Sequence, residues 1–139
     1  MVKKIMLALW ILLCIVVVAD GYVRLAPSDP VQWHIPLTFD ADRDLKGGVE
    51  RVVPAGPGAL ERLDQIIMAT PRTKRLAGSA GEGHVTYVTR TKVMGFPDYT
   101  TVQQEGDTLR IFGRLRFGRS DLGVNRARIE QWIDAFQAG

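Results

Sequence analysis

The stretch RLRFGRSDLGVNRARIEQW, residues 114–132, decides how the end of this chain folds, because a strand pattern passes there into a helix pattern. Residues 109–117 alternate apolar side chains with arginines and one phenylalanine, which indicates a strand with one apolar and one mostly cationic face. The later apolar residues fall on one side of a helix: Leu122, Ile129, Trp132, Ile133 and Phe136. Between the two patterns, Ser120 and Asn125 are each able to accept hydrogen bonds from free amides. We therefore predict a strand, a short loop and a helix capped by one of these two residues.

The apolar excess of the sequence is concentrated near its N-terminus. Residues 5–19 contain no charged or strongly polar side chain, and Lys3 and Lys4 precede them. Counted from Lys4 to Tyr22, a helix rising about 1.5 Å per residue spans roughly 28 Å, close to the ~30 Å hydrocarbon core of a bilayer. Basic residues before such a helix favour a cytoplasmic N-terminus. We expect residues 1–23 to form a signal anchor, a single transmembrane helix that carries the remaining chain across the membrane.

A cleaved signal peptide is the competing interpretation of this segment. Val17 and Ala19 stand at the −3 and −1 positions of a possible cleavage site before Asp20. Either interpretation exports the rest of the chain. The one cysteine, Cys14, lies inside the apolar run, so the exported part has no disulfide and no metal-thiolate site.

Positive charge is distributed unevenly along the exported part. Residues 24–70 carry five basic and seven acidic side chains, whereas residues 71–119 carry nine basic and four acidic ones. A nucleic-acid-binding domain of this size usually has a denser basic patch, and an exported domain rarely meets nucleic acid. We therefore expect no nucleic-acid partner, and we expect any charged partner to be an anionic lipid or another anionic envelope component.

Residues 24–48 form a proline-rich lead-in without a sustained period, which predicts extended chain. Its alternating aspartates at 40, 42 and 44 match the first half of a calcium loop. The match fails at Leu45, where glycine makes the turn, and at Arg51, where a bidentate glutamate belongs. We expect a solvated acidic turn there, and a packing or surface role for the isolated His34. The sequence predicts no metal site and no cofactor.

The remaining chain predicts an α+β domain. The expected elements are a strand at 49–53, a helix at 57–70, three strands of an antiparallel meander at 84–94, 99–104 and 108–117, and the C-terminal helix. Residues 72–83, with three cations and three glycines, are expected to be a flexible connector. The predicted organisation is thus a transmembrane helix at 1–23, a lead-in at 24–48, and a domain at 49–139 with a small, mostly antiparallel sheet and both helices on one face.

Two segments, GRSDLGVNRARIEQW at 118–132 and GFPDYTTV at 95–102, carry a resemblance to a known family. Together with the arginine-bearing strand they resemble the C-terminal signature of the DUF1499 family, a family of unknown function, over roughly residues 50–137. The resemblance implies an α+β domain that is often exported or membrane-attached, and it brings no established activity, cofactor or catalytic residue. This chain lacks the N-terminal cysteine motif of many members, and the paired acids common in the family are reduced to Asp98.

The loop before the C-terminal helix supplies the candidate binding site. Guanidinium groups and unpaired amides at a helix start suit a carboxylate or phosphate, and the residues predicted to provide them are Arg114, Arg116, Arg119, Ser120, Asn125 and Arg126. Alternatively, these arginines pair with nearby acids or project into solvent. A hydrolase would need a nucleophile, a base and an acid close together, and no motif positions Ser79, Ser120, His34 or His84 for that role.

The sequence therefore predicts a non-enzymatic, membrane-anchored envelope protein that binds an anionic ligand. It is expected in a bacterial inner membrane with its C-terminal domain in the periplasm, or free in the periplasm if the N-terminal segment is cleaved. An accessory subunit of a larger membrane complex is the first alternative, and a hydrolase is the second.

Overall fold

One antiparallel sheet of six strands organises the domain in the computed structural model, which describes all 139 residues. The strands are β1 (Arg43–Leu45), β2 (Gly48–Pro54), β3 (Thr73–Ser79), β4 (His84–Arg90), β5 (Pro97–Glu105) and β6 (Thr108–Leu115). Their order across the sheet is β1-β2-β6-β5-β4-β3. The helices are α1 (Val2–Leu25), α2 (Pro30–Trp33), α3 (Ala59–Met68) and α4 (Val124–Ala138).

Helices α3 and α4 pack on one face of the sheet, so the predicted α+β class is confirmed. The core between these layers is apolar and fully buried, as at Leu63, Val102 and Ile129. Burial of such side chains stabilises the fold by about 1.5–3 kcal/mol each. Gly113 allows α4 to approach β6 closely, because a β-carbon there would lie 2.5 Å from Cδ1 of Ile129. A side chain at position 113 would therefore force the buried side chain of Ile129 to move.

The expected flexible connector at 72–83 is instead strand β3 followed by a 3-10 turn, so that prediction is wrong. A bulge between Arg75 and Ala77 shifts the pairing of β3 with β4, which interrupts the alternation that identifies a strand in sequence. Long-range contacts hold the strand: the guanidinium Nε of Arg75 donates to Oδ1 of Asp64 on α3 at 2.9 Å. Tyr87 donates to the same oxygen at 2.7 Å, and these two bonds lower the pKa of Asp64.

The acidic segment before β2 is exposed to solvent, as expected, but its end forms a strand, β1, and not a turn. Asp44 lies in β1, and its two carboxylate oxygens accept from Arg51 at 2.8 Å and from Arg126 at 3.2 Å. These contacts lower the pKa of Asp44. Asp42 accepts from the backbone N–H of Val52 at 2.8 Å. The acidic segment is therefore a sheet edge tied to its neighbours by ion pairs.

Neither Ser120 nor Asn125 caps the C-terminal helix. The carboxylate of Asp121 accepts from the backbone N–H groups of Gly123 at 3.0 Å and Asn125 at 3.1 Å. Asn125 is fully buried inside the first turn, and its side-chain amide donates to Asp121 at 2.8 Å. Ser120 accepts from the N–H of Leu122 within the loop. The acid between the two predicted caps thus satisfies the helix start.

The lead-in crosses the face of the sheet opposite to α3 and α4, and we call residues 26–40 the strap. Its Trp33 stacks on Tyr99 of β5 with ring centroids 3.9 Å apart. The backbone N–H of Leu37 donates to Oε1 of Gln103 at 2.7 Å, and Leu37 itself is buried. The strap covers the middle of this face and leaves it open toward β3 and the end of β4.

Helix α1 is 24 residues long, an 18-residue window of it has a mean hydropathy of 2.5, and it buries no residue against the domain. It is long and apolar enough to cross a membrane, and a signal sequence would have the same properties. Its last turn touches the domain: the rings of Tyr22 and Phe117 lie 6.1 Å apart, and Nη1 of Arg90 donates to the carbonyl of Val23 at 3.3 Å. The end of the sheet that carries the β4–β5 turn therefore lies beside the end of α1.

Candidate functional site

Two concave surfaces flank the β4–β5 turn at the end of the sheet beside α1. The first, which we call the basic groove, encloses about 410 Å³ and is lined by Arg24, Arg72, Lys74, Val88, Arg90, Thr91, Lys92 and Gly95. Five of these eight side chains are cationic and none is acidic. The groove is therefore a concentrated positive surface next to the apolar helix.

Strand pairing explains why these cations lie together. Lys74 pairs with Val88, and Arg90 follows Val88 on the same face of β4 because strand side chains alternate. Arg72 precedes β3, and its Nε donates to the carbonyl of Arg90 at 3.0 Å. Lys92 follows in the turn. The antiparallel pairing of β3 with β4 thus brings together cations that are 18 residues apart in the chain.

The cations of the basic groove are largely free of carboxylates. Within 4.0 Å, an acidic partner occurs only for Arg24, which pairs with Asp20 of its own helix at 2.7 Å. Arg90 is held by backbone carbonyls, and its Nη1 donates to Gly95 at 2.9 Å. The side chains of Lys74 and Lys92 make no hydrogen bond, and both residues are exposed. This arrangement leaves the positive charge available to a ligand.

Arg114, a predicted site residue, lies on the same sheet face but beneath the strap. It is only 8% exposed, and its guanidinium donates to Thr101 at 2.8 Å and to the carbonyls of Phe112 and Trp33. The guanidinium carbon also lies 4.7 Å from the centroid of the Phe112 ring. Burial lowers the pKa of Arg114 to about 10. Its role in the structure is to hold the strap against the sheet.

The other predicted cations take separate positions. Arg116 donates to the carbonyl of Pro27 at 2.8 Å and to the hydroxyl of Tyr99 at 3.1 Å, at the start of the strap. Arg126 pairs with Asp44 on the helix side. Arg119 is exposed in the loop and has no carboxylate within 4.0 Å. The structure does not gather the six predicted residues around one ligand position, because Arg114 and Asn125 lie on opposite faces of the sheet.

The second concave surface, which we call the acidic pocket, lies between the β4–β5 turn and the β6–α4 loop. It encloses about 370 Å³ and is lined by Thr91, Phe96, Asp98, Leu115, Phe117, Gly118, Ser120, Asp121, Leu122 and Val124. The side chain of Asp98 is 7% exposed, and its Oδ2 lies 3.4 Å from Nη1 of Arg128. Burial raises the pKa of Asp98, and the nearby Arg128 opposes that shift.

Sequence reasoning missed Arg128 as a member of this site. The signal was present, because residues three apart on a helix share a face, and Arg128 follows Asn125 by three positions. In the structure Arg128 donates to the side-chain oxygen of Asn125 at 3.3 Å as well as to Asp98. The two signature segments thus meet at one pocket through Asp98, Asn125 and Arg128.

The serines and histidines considered for hydrolysis have other partners. His34 and His84 stack with centroids 3.8 Å apart, and His34 shares a hydrogen bond with Thr86 at 2.9 Å. Ser79 accepts from the backbone N–H of Glu82, and it shares no hydrogen bond with either imidazole. Burial and the neighbouring His84 lower the pKa of His34. The contacts at these four side chains are structural ones, between the strap, the sheet and local turns.

Comparison with known protein families matches residues 26–136 to DUF1499, described as a protein of unknown function. No curated protein matches this chain. The match covers the strap, the whole sheet, the acidic pocket and every residue of the basic groove except Arg24. The chain therefore belongs to the DUF1499 family, and the resemblance seen in its C-terminal signature is confirmed.

Proposed function

We propose that this DUF1499 protein is a membrane-anchored binding protein whose basic groove holds the phosphate-bearing head group of an anionic lipid. The observation that carries the proposal is a groove of about 410 Å³ with five lining cations, four of which have no carboxylate within 4.0 Å. Guanidinium forks and ammonium groups are the usual protein ligands of phosphate. A carboxylate or a free phosphate offers the same charge, but only a lipid is supplied by the membrane itself.

The position of the groove supports a lipid source. Arg24 lines the groove and is also the last charged residue of α1, so the groove begins where the apolar helix ends. We propose that α1 is retained as an anchor in a bacterial inner membrane and that the domain faces the periplasm. Lys3 and Lys4 before the apolar run favour that orientation. Anionic head groups attract basic residues at a membrane surface by about 1 kcal/mol each.

The experiment is an isothermal titration calorimetry measurement in which short-chain phosphatidylglycerol is titrated into the full chain in neutral detergent. We expect phosphatidylglycerol to bind at least tenfold more tightly than short-chain phosphatidylcholine of the same chain length. Replacing Lys74 and Lys92 together with alanine is expected to weaken phosphatidylglycerol binding by roughly thirtyfold, as two lost surface charges imply. Both lysines are exposed and unbonded, so the melting temperature is expected to stay unchanged.

Lys46→Ala combined with Arg119→Ala is the matched control. It also removes two exposed cations from this end of the sheet, but at the opposite edge. Equal binding of both lipids, or an equal loss in the control, would contradict the basic groove as the site. A loss in the control alone would return the anion site to the β6–α4 loop. Binding only when another membrane protein co-purifies would favour the accessory-subunit alternative.

A further inference from the structure

We infer that the acidic pocket is a second ligand site, which takes an amphiphile whose apolar body lies against Phe96, Leu115 and Phe117 and whose hydroxyl or ammonium donates a hydrogen bond to Asp98. This site is separate from the basic groove, and it selects for a hydrogen-bond donor where the groove selects for negative charge. It rests on the retained anchor α1 of the proposed function, but it does not depend on lipid binding in the groove.

Five of the ten residues that line the pocket are apolar, and two of these five are exposed to solvent. Leu122 is 93% exposed and Val124 is 44% exposed, and both line the pocket. Exposed large apolar side chains that surround a concavity are typical of ligand or membrane contact. Apolar matter of the ligand would cover side chains that otherwise face water.

One hydrogen-bond acceptor inside the pocket is unused. Oδ2 of Asp98 receives both nitrogens of the Arg128 fork at 3.4 Å, whereas Oδ1 receives no hydrogen bond from the protein. The other lining acid, Asp121, is fully engaged, because its oxygens accept from Gly123 and Asn125. Oδ1 of Asp98 therefore offers an acceptor to a hydroxyl or ammonium of a ligand in the pocket, and a hydrogen bond to a carboxylate stabilises the complex.

The charges at the pocket exclude the ligand class expected in the groove. Asp98 and Asp121 line it, and the nearby Arg128 is already paired with Asp98 at 3.4 Å. A phosphate or carboxylate head would meet these two carboxylates, and like charges at close range repel. Burial is the main cause of the raised pKa of Asp98, and the charge of Asp121 adds to it, whereas Arg128 and Asn125 oppose it. The pocket therefore fits a neutral or cationic head.

The source of such a molecule is the bilayer around α1. Phe117 lines the pocket and also contacts Tyr22 in the last turn of that helix, with centroids 6.1 Å apart. The pocket thus opens beside the point where the apolar helix ends. A membrane amphiphile reaches Asp98 by moving a short distance out of the bilayer, without crossing bulk water.

The test uses the full chain in phosphatidylcholine nanodiscs with three photoreactive probes of equal chain length. A diazirine-bearing long-chain alcohol and amine carry donors, whereas the methyl ether of the same alcohol carries an acceptor only. We expect the alcohol and the amine to label residues 115–124 at least tenfold more than the ether, since one hydrogen bond to a carboxylate is worth about that factor. Labelling by the alcohol alone identifies a hydroxyl lipid, and labelling by the amine alone identifies an aminolipid.

Asp98→Asn is expected to reduce labelling by the donor probes about tenfold, which is the value of one charged hydrogen bond. Asp134→Asn, an exposed acid on α4, is the matched control and should label as the unmodified chain does. Ser120 also lines the pocket and shares no hydrogen bond with Asp98, so Ser120→Trp, which obstructs the pocket with a bulky side chain, provides a second test if Asp98→Asn fails to fold. Equal labelling by all three probes, or full labelling of Ser120→Trp, would overturn the inference. The double alanine variant of Lys74 and Lys92 should label normally, which separates this result from that of the groove.

Discussion

The same face of the sheet carries two groups of cations, one buried and hydrogen-bonded within the protein and the other exposed to solvent. Under the strap, Arg114 is 8% exposed and donates to backbone carbonyls and a threonine hydroxyl. Beyond the strap, Lys74 and Lys92 are exposed, and neither makes a hydrogen bond or an ion pair. The strands on both sides are antiparallel and twisted alike, so the difference comes from what lies above them.

This comparison teaches that the strap divides structural cations from available ones. An arginine whose donors are already bonded to carbonyls contributes little free energy to ligand binding, because the ligand must replace existing hydrogen bonds. A lysine side chain without protein partners loses only its hydrogen bonds to water when it binds a ligand. The basic groove is thus the part of a cationic sheet face that residues 26–40 leave uncovered.

Replacing Arg114 with alanine should produce the largest effect, because it destabilises the part of the sheet face that the strap covers, the covered half. The substitution removes the shorter of the two hydrogen bonds to the Trp33 carbonyl, which Thr101 still reaches at 3.3 Å, and opens a cavity between two aromatic rings. We expect the free energy of unfolding to fall by about 2–4 kcal/mol. Thermal unfolding of the full chain in detergent, followed by circular dichroism, measures it.

Lys46→Ala is the control for that substitution, because Lys46 is a cation exposed to solvent near the same end of the sheet. It should leave the melting temperature unchanged within about 0.5 kcal/mol. If Arg114→Ala unfolds at the temperature of this control, the strap is not fastened by Arg114, and the distinction between the two halves loses its physical basis.

Reversing one charge in the uncovered half should have the next largest effect. Lys74→Glu changes the groove by two charge units, and at about 1 kcal/mol per charge near a membrane surface we expect phosphatidylglycerol affinity to fall roughly thirtyfold. Calorimetric titration measures the change. Lys46→Glu makes the same reversal at the opposite edge, and an equal loss there would show that total charge, not the groove, attracts the lipid.

Local patterns were enough to predict the fold class. The alternation in β6 and the helical stripe of α4 depend on neighbours in sequence, and both elements form, although Leu122, expected in that stripe, lies before α4 and is 93% exposed. Strand β3 was missed because its bulge at Arg75–Ala77 breaks the alternation and because its partners, Asp64 and β4, are distant in sequence. The strap was read as extended chain, and its packing on Tyr99 leaves no periodic signal.

The candidate site was predicted less well, for the same reason. Sequence shows that Arg110, Arg114 and Arg116 share a strand face, but it does not show that a segment 80 residues earlier covers Arg114. That the six predicted residues bind a ligand stays a prediction, although the structure does not bring them together at one position. Local charge counts did identify residues 71–119 as the cationic block, and that block supplies four of the five cations of the groove.

Acid should loosen the covered half more than the uncovered one. Burial and the stacked His84 hold the pKa of His34 below the usual 6.5 of a histidine, with Glu82 opposing and Arg114 reinforcing the shift. Above that value both states carry a neutral imidazole. As pH falls below 6.5, the unfolded chain takes up the proton first, so the free energy of unfolding decreases.

We expect the melting temperature to fall between pH 7.5 and 5.5 by a fraction of the Arg114→Ala effect, and to fall less in His34→Gln. Glutamine keeps a polar contact to Thr86 without a proton to gain in this range. Thermal unfolding at a series of pH values measures both slopes. Identical slopes in the two proteins would assign the acid sensitivity to groups away from the strap.

The smallest effect is expected where charge is freed at the far end of the same face. Arg110 is paired with Asp40 and Glu105, and Asp40→Asn with Glu105→Gln would release it and raise the net charge by two. Arg110 pairs with Gln103, six residues along β5 from the end that carries the groove, which places it about 20 Å away. At that distance salt at 0.15 M screens its charge from the head group. Phosphatidylglycerol affinity should therefore change less than twofold in calorimetric titration, and a tenfold gain would mean that net charge alone governs binding and that the uncovered half has no special role.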